Sequence, residues 1–410
     1  MSASDRRIED KDAEILKPLA EKVAALVAEP VQEPRRREWK RLNSLKPGRP
    51  LLHICQEPWR EFVGSEFALR CEGELARQVE QQLHQILWRA RHAPADDAVE
   101  PEVWTMAVYE ETPWGLPLRA RNPDVAVEYP SVIHGLDDVR KIAMPEVRYD
   151  AAATQAKAGA ITQACGGLVR VNPVVSLAPA MWDLLITWYG TNELMLDLSE
   201  NPDLVHAAAR RCTDMIVHRM LQFEAQGALR LNNLNQGCGA GGLSYTDELP
   251  QKDFAGKVRL KDLWGNQMAQ IFVGVSPEMH DEFALRYEIE ILRHFGLNSY
   301  GCCEPLHRKV GILHKVPNLR RISMSPWVNW EEGAAAIGTR YIFSAKPNPA
   351  FLAGDKWDPR PAEAELRRIL DATRGLLVEI VLKDIHTLRG EPRRLAEWHR
   401  MAVAVIDEYH

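Results

Sequence analysis

The chain has 410 residues, of which 46% are hydrophobic and 26% charged, with a net charge of −6. That length suits one large domain or two ordinary ones, and the acidic balance gives no support for a nucleic-acid partner. No apolar stretch approaches the roughly 20 residues that span a bilayer, and the opening Met1-Ser2-Ala3-Ser4-Asp5-Arg6-Arg7 lacks the apolar core of a signal peptide.

Seven cysteines, at 55, 71, 165, 212, 238, 302 and 303, are odd in number and scattered. Without a signal peptide they read as reduced thiols. The expectation is a cytoplasmic protein.

Residues 1–45 read as a charged helical extension, with Ile8, Ile15, Leu19, Val23 and Leu26 at helical spacing. One face of it should pack on the main body, 46–410, or on a second subunit. Leu51–Cys55 is the first strand candidate. Val103–Tyr109, Leu168–Leu177, Ala228–Leu234, Met268–Val275, Asn298–Cys303, Leu319–Met324 and Arg340–Ala345 follow. Most are apolar on both faces, as strands of a buried parallel sheet are.

The helices between them carry start signals. Asn201-Pro202-Asp203, Ser276-Pro277-Glu278 and Asp358-Pro359 each set a capping side chain before a first-turn proline. Met279–Phe295 and Pro392–Tyr409 read as helices. Eight strand-helix units suggest a closed (β/α)8 barrel of the TIM type rather than an open doubly wound sheet. No G-x-G-x-x-G follows the first strand, which removes the signature of dinucleotide binding.

In such a barrel the strand-end residues converge on one mouth. In chain order these are His53, Gln56 and Glu57; Glu110 and Glu111; Asn235, Gln236 and Cys238; Ser276 and His280; Cys302, Cys303, Glu304 and His307; Ser325 and Asn329; Lys346 and Asn348. Cys302-Cys303-Glu304 with His307 offers the ligand types of zinc, or two small buried hydrophobes. Adjacent strand residues face opposite sides, so one cysteine enters the mouth.

Glu110-Glu111 is an acidic pair entering a turn, either a metal ligand or general base or a solvated loop. His53 and His134 stand near apolar runs and are read first as structural. Gly237–Gly242 lacks phosphate-binding spacing and reads as a strand-end loop giving room to substrate or acting as a lid. Lys383-Asp384-Ile385-His386-Thr387, ahead of the C-terminal helix and joined by Arg389, Arg393 and Arg394, reads first as a knot of salt bridges and second as a functional segment.

Several stretches resemble the uroporphyrinogen decarboxylase superfamily, which includes cobalamin-dependent methyltransferases. Residues 39–50, Val275-Ser276-Pro277-Glu278-Met279, Gly301-Cys302-Cys303 and 380–387 carry the resemblance, across most of 38–405. The decarboxylases' Arg-Gln-x-Gly-Arg loop is replaced by His53-Ile54-Cys55-Gln56-Glu57, which would repel a polycarboxylate. The methyltransferases' His-x-Cys half-site falls on Gly301 and Cys303, and their late cysteine is absent where Lys346-Pro347-Asn348 lies. The resemblance implies zinc on Cys303 with Glu304, His307 or a carboxylate such as Glu111.

The expected function is methyl transfer between a small methylated substrate, such as an O-methyl ether, and a corrinoid protein. His53, Gln56, Glu57, Glu111, Asn235 and Lys346 are the further catalytic candidates. The cobalamin would come on that partner, since no Asp-x-His-x-x-Gly is present. The family suggests a homodimer. A decarboxylase or lyase of a small acid, with Lys346 gripping the carboxylate, is the alternative enzyme, and a non-catalytic ligand-binding barrel the non-enzymatic one.

Overall fold

A computed structural model describes residues 7–62, 64, 67–121 and 127–409. It is a mixed α/β fold around a parallel sheet. Ten strands occur among the described residues: β1 Leu51–Ile54, β2 Glu102–Met106, β3 Tyr109–Glu111, β4 Val147–Tyr149, β5 Arg170–Val174, β6 Trp264–Gln267, β7 Leu297–Tyr300, β8 Leu319–Met324, β9 Ile342–Ala345 and β10 Val378–Leu382. Six form one sheet in the order β1-β10-β9-β8-β7-β6, and β2 pairs with β5. All these pairings are parallel, while β3 and β4 form a short antiparallel pair.

From β6 to β10 each strand lies beside the next in chain order, and β10 pairs with β1, an order consistent with a barrel-like fold. Among the described residues no ladder joins β1 to β2 or β5 to β6.

Two expected strands are corrected. Ala228–Leu234 is not a strand, because an asparagine side chain takes over the ladder there. Asn232 Nδ2 donates to the Trp264 carbonyl at 3.0 Å and its Oδ1 accepts from Trp264 N at 2.9 Å. Met268–Val275 is displaced onto β6. Beyond Gln267 the chain turns into the 3-10 segment Gln270–Gly274, because Phe272 packs against Trp182 with ring centroids 4.6 Å apart. The true last strand is β10, which follows Ile342–Ala345.

Alternation sorts the strand residues. Leu52, Ile54, Ile322, Met324, Phe343, Ala345, Val378, Ile380 and Leu382 face the surrounding helices, among them Arg360–Ala372 and Arg393–Glu408. The other face carries Leu51, His53, Arg321, Ser323, Ser344 and Glu379. The helix Asp10–Val27 packs on Glu74–His92. Its successor Gln32–Asn43 drives Trp39 and Leu42 against Leu51, Ile342 and Leu377.

That inner face is held by a buried ion pair. Arg321 and Glu379 side chains are both 0% exposed and 3.1 Å apart. Arg321 also donates to Asn43 Oδ1 (2.6 Å) and to the Gly242 carbonyl (2.8 Å), and stacks over Trp264 at 4.9 Å. Glu379 accepts from Gly242 N (3.0 Å) and from the Ser344 hydroxyl.

The glycines of 237–242 serve this packing. A Cβ on Gly241 would lie 2.4 Å from Arg321 Cδ, and one on Gly242 2.4 Å from a Trp39 ring carbon. Residues 240–246 are buried. Of the expected substrate loop or lid, residues 240–242 pack into the interior, whereas Gly237 and Gly239 are exposed.

Removing one partner of a buried pair costs about 3–5 kcal/mol, because the other charge is left without compensation. Glu379→Gln should lower the unfolding free energy measured by urea titration by that amount, and adding Arg321→Met should recover part of it. A loss under about 1 kcal/mol for the single variant would contradict this role.

Candidate functional site

β7 ends at Tyr300, before the cysteines. Gly301 adopts φ +92°, where any side chain is disfavoured. A Cβ there would also meet Leu306 Cδ1 at 2.4 Å. The chain bends at this glycine, so strand alternation no longer applies to residues 302–304. The two thiols lie together, with Cys302 Sγ 3.4 Å from Cys303 Sγ. The expectation that only one enters the mouth is corrected on that ground.

The bend is pinned on both sides. Ser323 Oγ donates to the Cys302 carbonyl at 2.7 Å, and Glu304 Oε2 accepts from Cys302 N at 2.8 Å. The other oxygen of Glu304 accepts from Ala269 N at 3.2 Å.

The partners of the thiols come from the end of β10. Lys383 Nζ lies 3.2 Å from Cys302 Sγ, 4.0 Å from Cys303 Sγ and 2.7 Å from Asp384 Oδ2. Cys303 Sγ is 3.5 Å from that same oxygen. Asp384 has φ +56°, and its N–H donates to Oε1 of Gln56, itself at φ +58°, at 3.2 Å. Two non-glycine residues in the left-handed region on neighbouring strand ends store strain of order 1 kcal/mol each. They aim Asp384, and through it Lys383, at the thiols.

The electrostatics follow. A hydrogen bond from Cys303 and the ammonium of Lys383 lower the Cys302 thiol to about 7 against the opposing effect of burial. Cys303 is pushed up, chiefly by its bond to Cys302 and by burial. Burial works against the charge of Lys383, but Asp384 and the two sulfurs hold its pKa above the ordinary value. The arrangement sets a lowered thiol beside an ammonium with a second thiol in contact, and a lowered thiol beside a cation is the mark of a reactive cysteine.

Lys346, on the next strand inward, is 3% exposed. It donates to Ser344 Oγ (2.5 Å) and the Ser344 carbonyl (3.0 Å). Burial lowers it to about 8 despite Glu379. His53 lies beside Asp97, its Nδ1 2.9 Å from each carboxylate oxygen. Burial opposes its protonation, but Asp97 and the Cys55 thiol hold the imidazole well above its ordinary value. His53 and Asn235 line a cavity of about 110 Å³ with Arg35, Arg89 and Asp97. It lies where β1 and β2 are not paired, and neither Cys302 nor Cys303 lines it.

The remaining candidates are engaged elsewhere. Glu57 is held by Arg89 at 2.5 and 2.6 Å. Glu111 accepts from Arg219 (2.6 and 3.0 Å) and from Trp114 Nε1 (2.7 Å). Glu110 pairs with Arg148 at the surface. His307 turns toward Glu332 at 3.8 Å. His280 is fully buried between Tyr300 Oη (2.7 Å) and Lys309 Nζ (3.2 Å), and burial lowers it to about 3.

The structure therefore does not bring Cys303, Glu304 and His307 together. Among the described residues no group of three or more His, Cys, Asp or Glu could hold a metal ion. Cys302, Cys303 and Asp384 surround a lysine ammonium, so zinc would have to displace Lys383. The donor set as placed does not fit zinc.

Lys383 and Asp384 do form the expected salt bridge, at 2.7 Å, and the structure adds that they stand beside the two thiols. Their signal was Val378-Glu379-Ile380-Val381-Leu382, a β-branched run that marks one more strand.

No protein-family model matches the chain, and no curated protein does. Among solved structures the chain is similar to a methyltransferase from Methanosarcina mazei, with a TM-score of 0.47 and 12% sequence identity over 92% of this chain and 98% of that one. No helix of the described residues is long and apolar enough to cross a membrane.

Alkylation by iodoacetamide should rise through pH about 7 at Cys302. An ordinary thiol titrates near ~8.5. Lys383→Met removes the cation, so the midpoint should move up. Peptide mapping of the label across pH checks this, and an unchanged midpoint would contradict it.

Proposed function

We propose that the protein is a methyltransferase built on a (β/α)8 barrel open at two seams, and that the Cys302 thiolate takes the methyl group. The observation that carries this reading is the 3.2 Å contact between Lys383 Nζ and Cys302 Sγ at the strand ends. In the step proposed, the thiolate attacks the methyl carbon of a small donor such as an O-methyl ether. The carbon–oxygen bond breaks, its electron pair leaves on oxygen, and the Lys383 ammonium donates a proton to that oxygen. The methyl group then passes from sulfur to a stronger nucleophile, for which a reduced corrinoid on a separate protein is the proposed acceptor. The thiolate leaves with the bonding pair and an ammonium again faces it once Lys383 is reprotonated. No step runs through zinc.

Support for a partner at this end comes from Trp327, which is 71% exposed in the loop after β8. Large exposed aromatic residues commonly anchor interfaces.

A second reading, a lyase or decarboxylase using Lys346, is favoured by that lysine's lowered pKa of about 8. Buried amines of this kind act as bases or form Schiff bases. Lys346 is nevertheless almost wholly buried and donates inward to Ser344, whereas Cys302 is half-buried and Cys303 exposed. The thiolate is the accessible group.

The test is single-turnover incubation with trideuteromethylated aryl ethers, thioethers and quaternary amines, followed by peptide mapping and metal analysis. The expected result is a deuterated methyl on Cys302 from one class, lost in Cys302→Ser and reduced at least about tenfold in Lys383→Met. Demethylation by Cys302→Ser, no methyl on Cys302 from any class, or stoichiometric zinc lost with either cysteine would overturn the mechanism.

A further inference from the structure

We propose that Cys302 and Cys303 also form a binding site for a trivalent thiophilic metalloid, arsenite or a mono-organoarsenical, bridged between the two sulfurs. This goes beyond methyl transfer and does not depend on it. The sulfurs are 3.4 Å apart on adjacent residues, and the backbone between them is fixed before any ligand arrives. Glu304 holds the Cys302 N–H and Ser323 holds its carbonyl. The Gly301 turn directs the pair off the strand. Access is also provided, since Cys303 is exposed and Cys302 half-buried, while Cys71, Cys165, Cys212 and Cys238 are buried.

The geometry distinguishes this ligand from a tetrahedral ion. Zinc with sulfur bonds of about 2.3 Å holds two thiolates roughly 3.8 Å apart and takes four donors. Trivalent arsenic is pyramidal, with bonds closer to a right angle. It suits a narrower sulfur pair and brings its own third substituent. The site supplies two sulfurs and a cation, which matches that requirement.

The charges assist closure. Lys383 at 3.2 Å keeps Cys302 ready as the first nucleophile, and Asp384 Oδ2 at 3.5 Å lies where it can accept the Cys303 proton. For a compound R–As(OH)2, two arsenic–oxygen bonds break and two arsenic–sulfur bonds form. One displaced hydroxide leaves as water with the Cys303 proton and the other with a proton from the Lys383 ammonium, which solvent then restores, and no oxidation state changes.

The probe is phenylarsine oxide, added in equimolar amount to the reduced full-length chain and followed by intact mass. The expected product carries one phenylarsenic group on two sulfurs, survives excess glutathione and is stripped by 1,2-ethanedithiol. Cys302→Ser and Cys303→Ser should each lose the glutathione-resistant product, whereas Cys55→Ser should retain it. Cys303 is exposed, so its serine variant keeps the fold, as circular dichroism would verify. Lys383→Met should slow formation at least about tenfold at neutral pH without changing the final stoichiometry. Removal by glutathione from the unmodified chain, or a resistant adduct in either cysteine variant, would overturn the proposal. Arsenical closure without methyl capture would remove the proposed function and leave this site standing.

Discussion

The buried pair of Arg321 and Glu379 is the constraint on which the rest of the interior depends. Two charges out of water are tolerated when good pairing geometry is joined by further hydrogen bonds. Here Asn43, Gly242 and Ser344 supply those bonds, while Arg321 Nε is left without a partner among the described residues. The requirement reaches far along the chain. It fixes the end of the helix Gln32–Asn43, demands glycine at 241 and 242, and sets a hydroxyl at 344. The Ser344 hydroxyl faces Glu379 on one side and Lys346 on the other, so the pair extends into a line of polar groups running toward the strand ends.

Two lysines stand at the top of that line, and their different partners decide their roles. Lys346 meets a hydroxyl and a carbonyl, so burial prevails and its charge is weakened. Lys383 meets the Asp384 carboxylate and the sulfurs, which outweigh burial and strengthen its charge. A buried positive charge favours a nearby anion. Cys302, with Cys303 donating to it, is the group placed to carry that anion. The reactivity of the thiol thus derives from how β9 and β10 end, not only from its own segment.

Much of this was legible in the sequence. The strand-helix alternation and the proline-marked helix starts follow from residue type and spacing. The Ser276 cap is in place, with its side chain accepting from Met279 N. What was hidden depends on long-range contacts. An apolar stretch such as Met268–Val275 fits a strand or a buried turn equally well, and packing against Trp182 decides between them. Counting it and Ala228–Leu234 made Arg340–Ala345 the final strand. That concealed β10, so the Lys383–Asp384 salt bridge was legible but its place beside the thiols was not. The glycine run at 237–242 was ambiguous for a similar reason: close packing and flexibility require the same residue. His307 stood near the cysteines in sequence, but the Gly301 bend and the turn after it send its ring toward Glu332.

The central claim is that the Lys383 ammonium holds a thiolate at Cys302. Thiolate absorbance in the ultraviolet at pH 7.5, compared among the unmodified chain, Cys302→Ser, Cys303→Ser and Lys383→Met, tests it most directly. The account predicts a substantial fraction of one thiolate per chain, abolished by Cys302→Ser and diminished by both Lys383→Met and Cys303→Ser. Equal absorbance in the unmodified chain and Lys383→Met would contradict it.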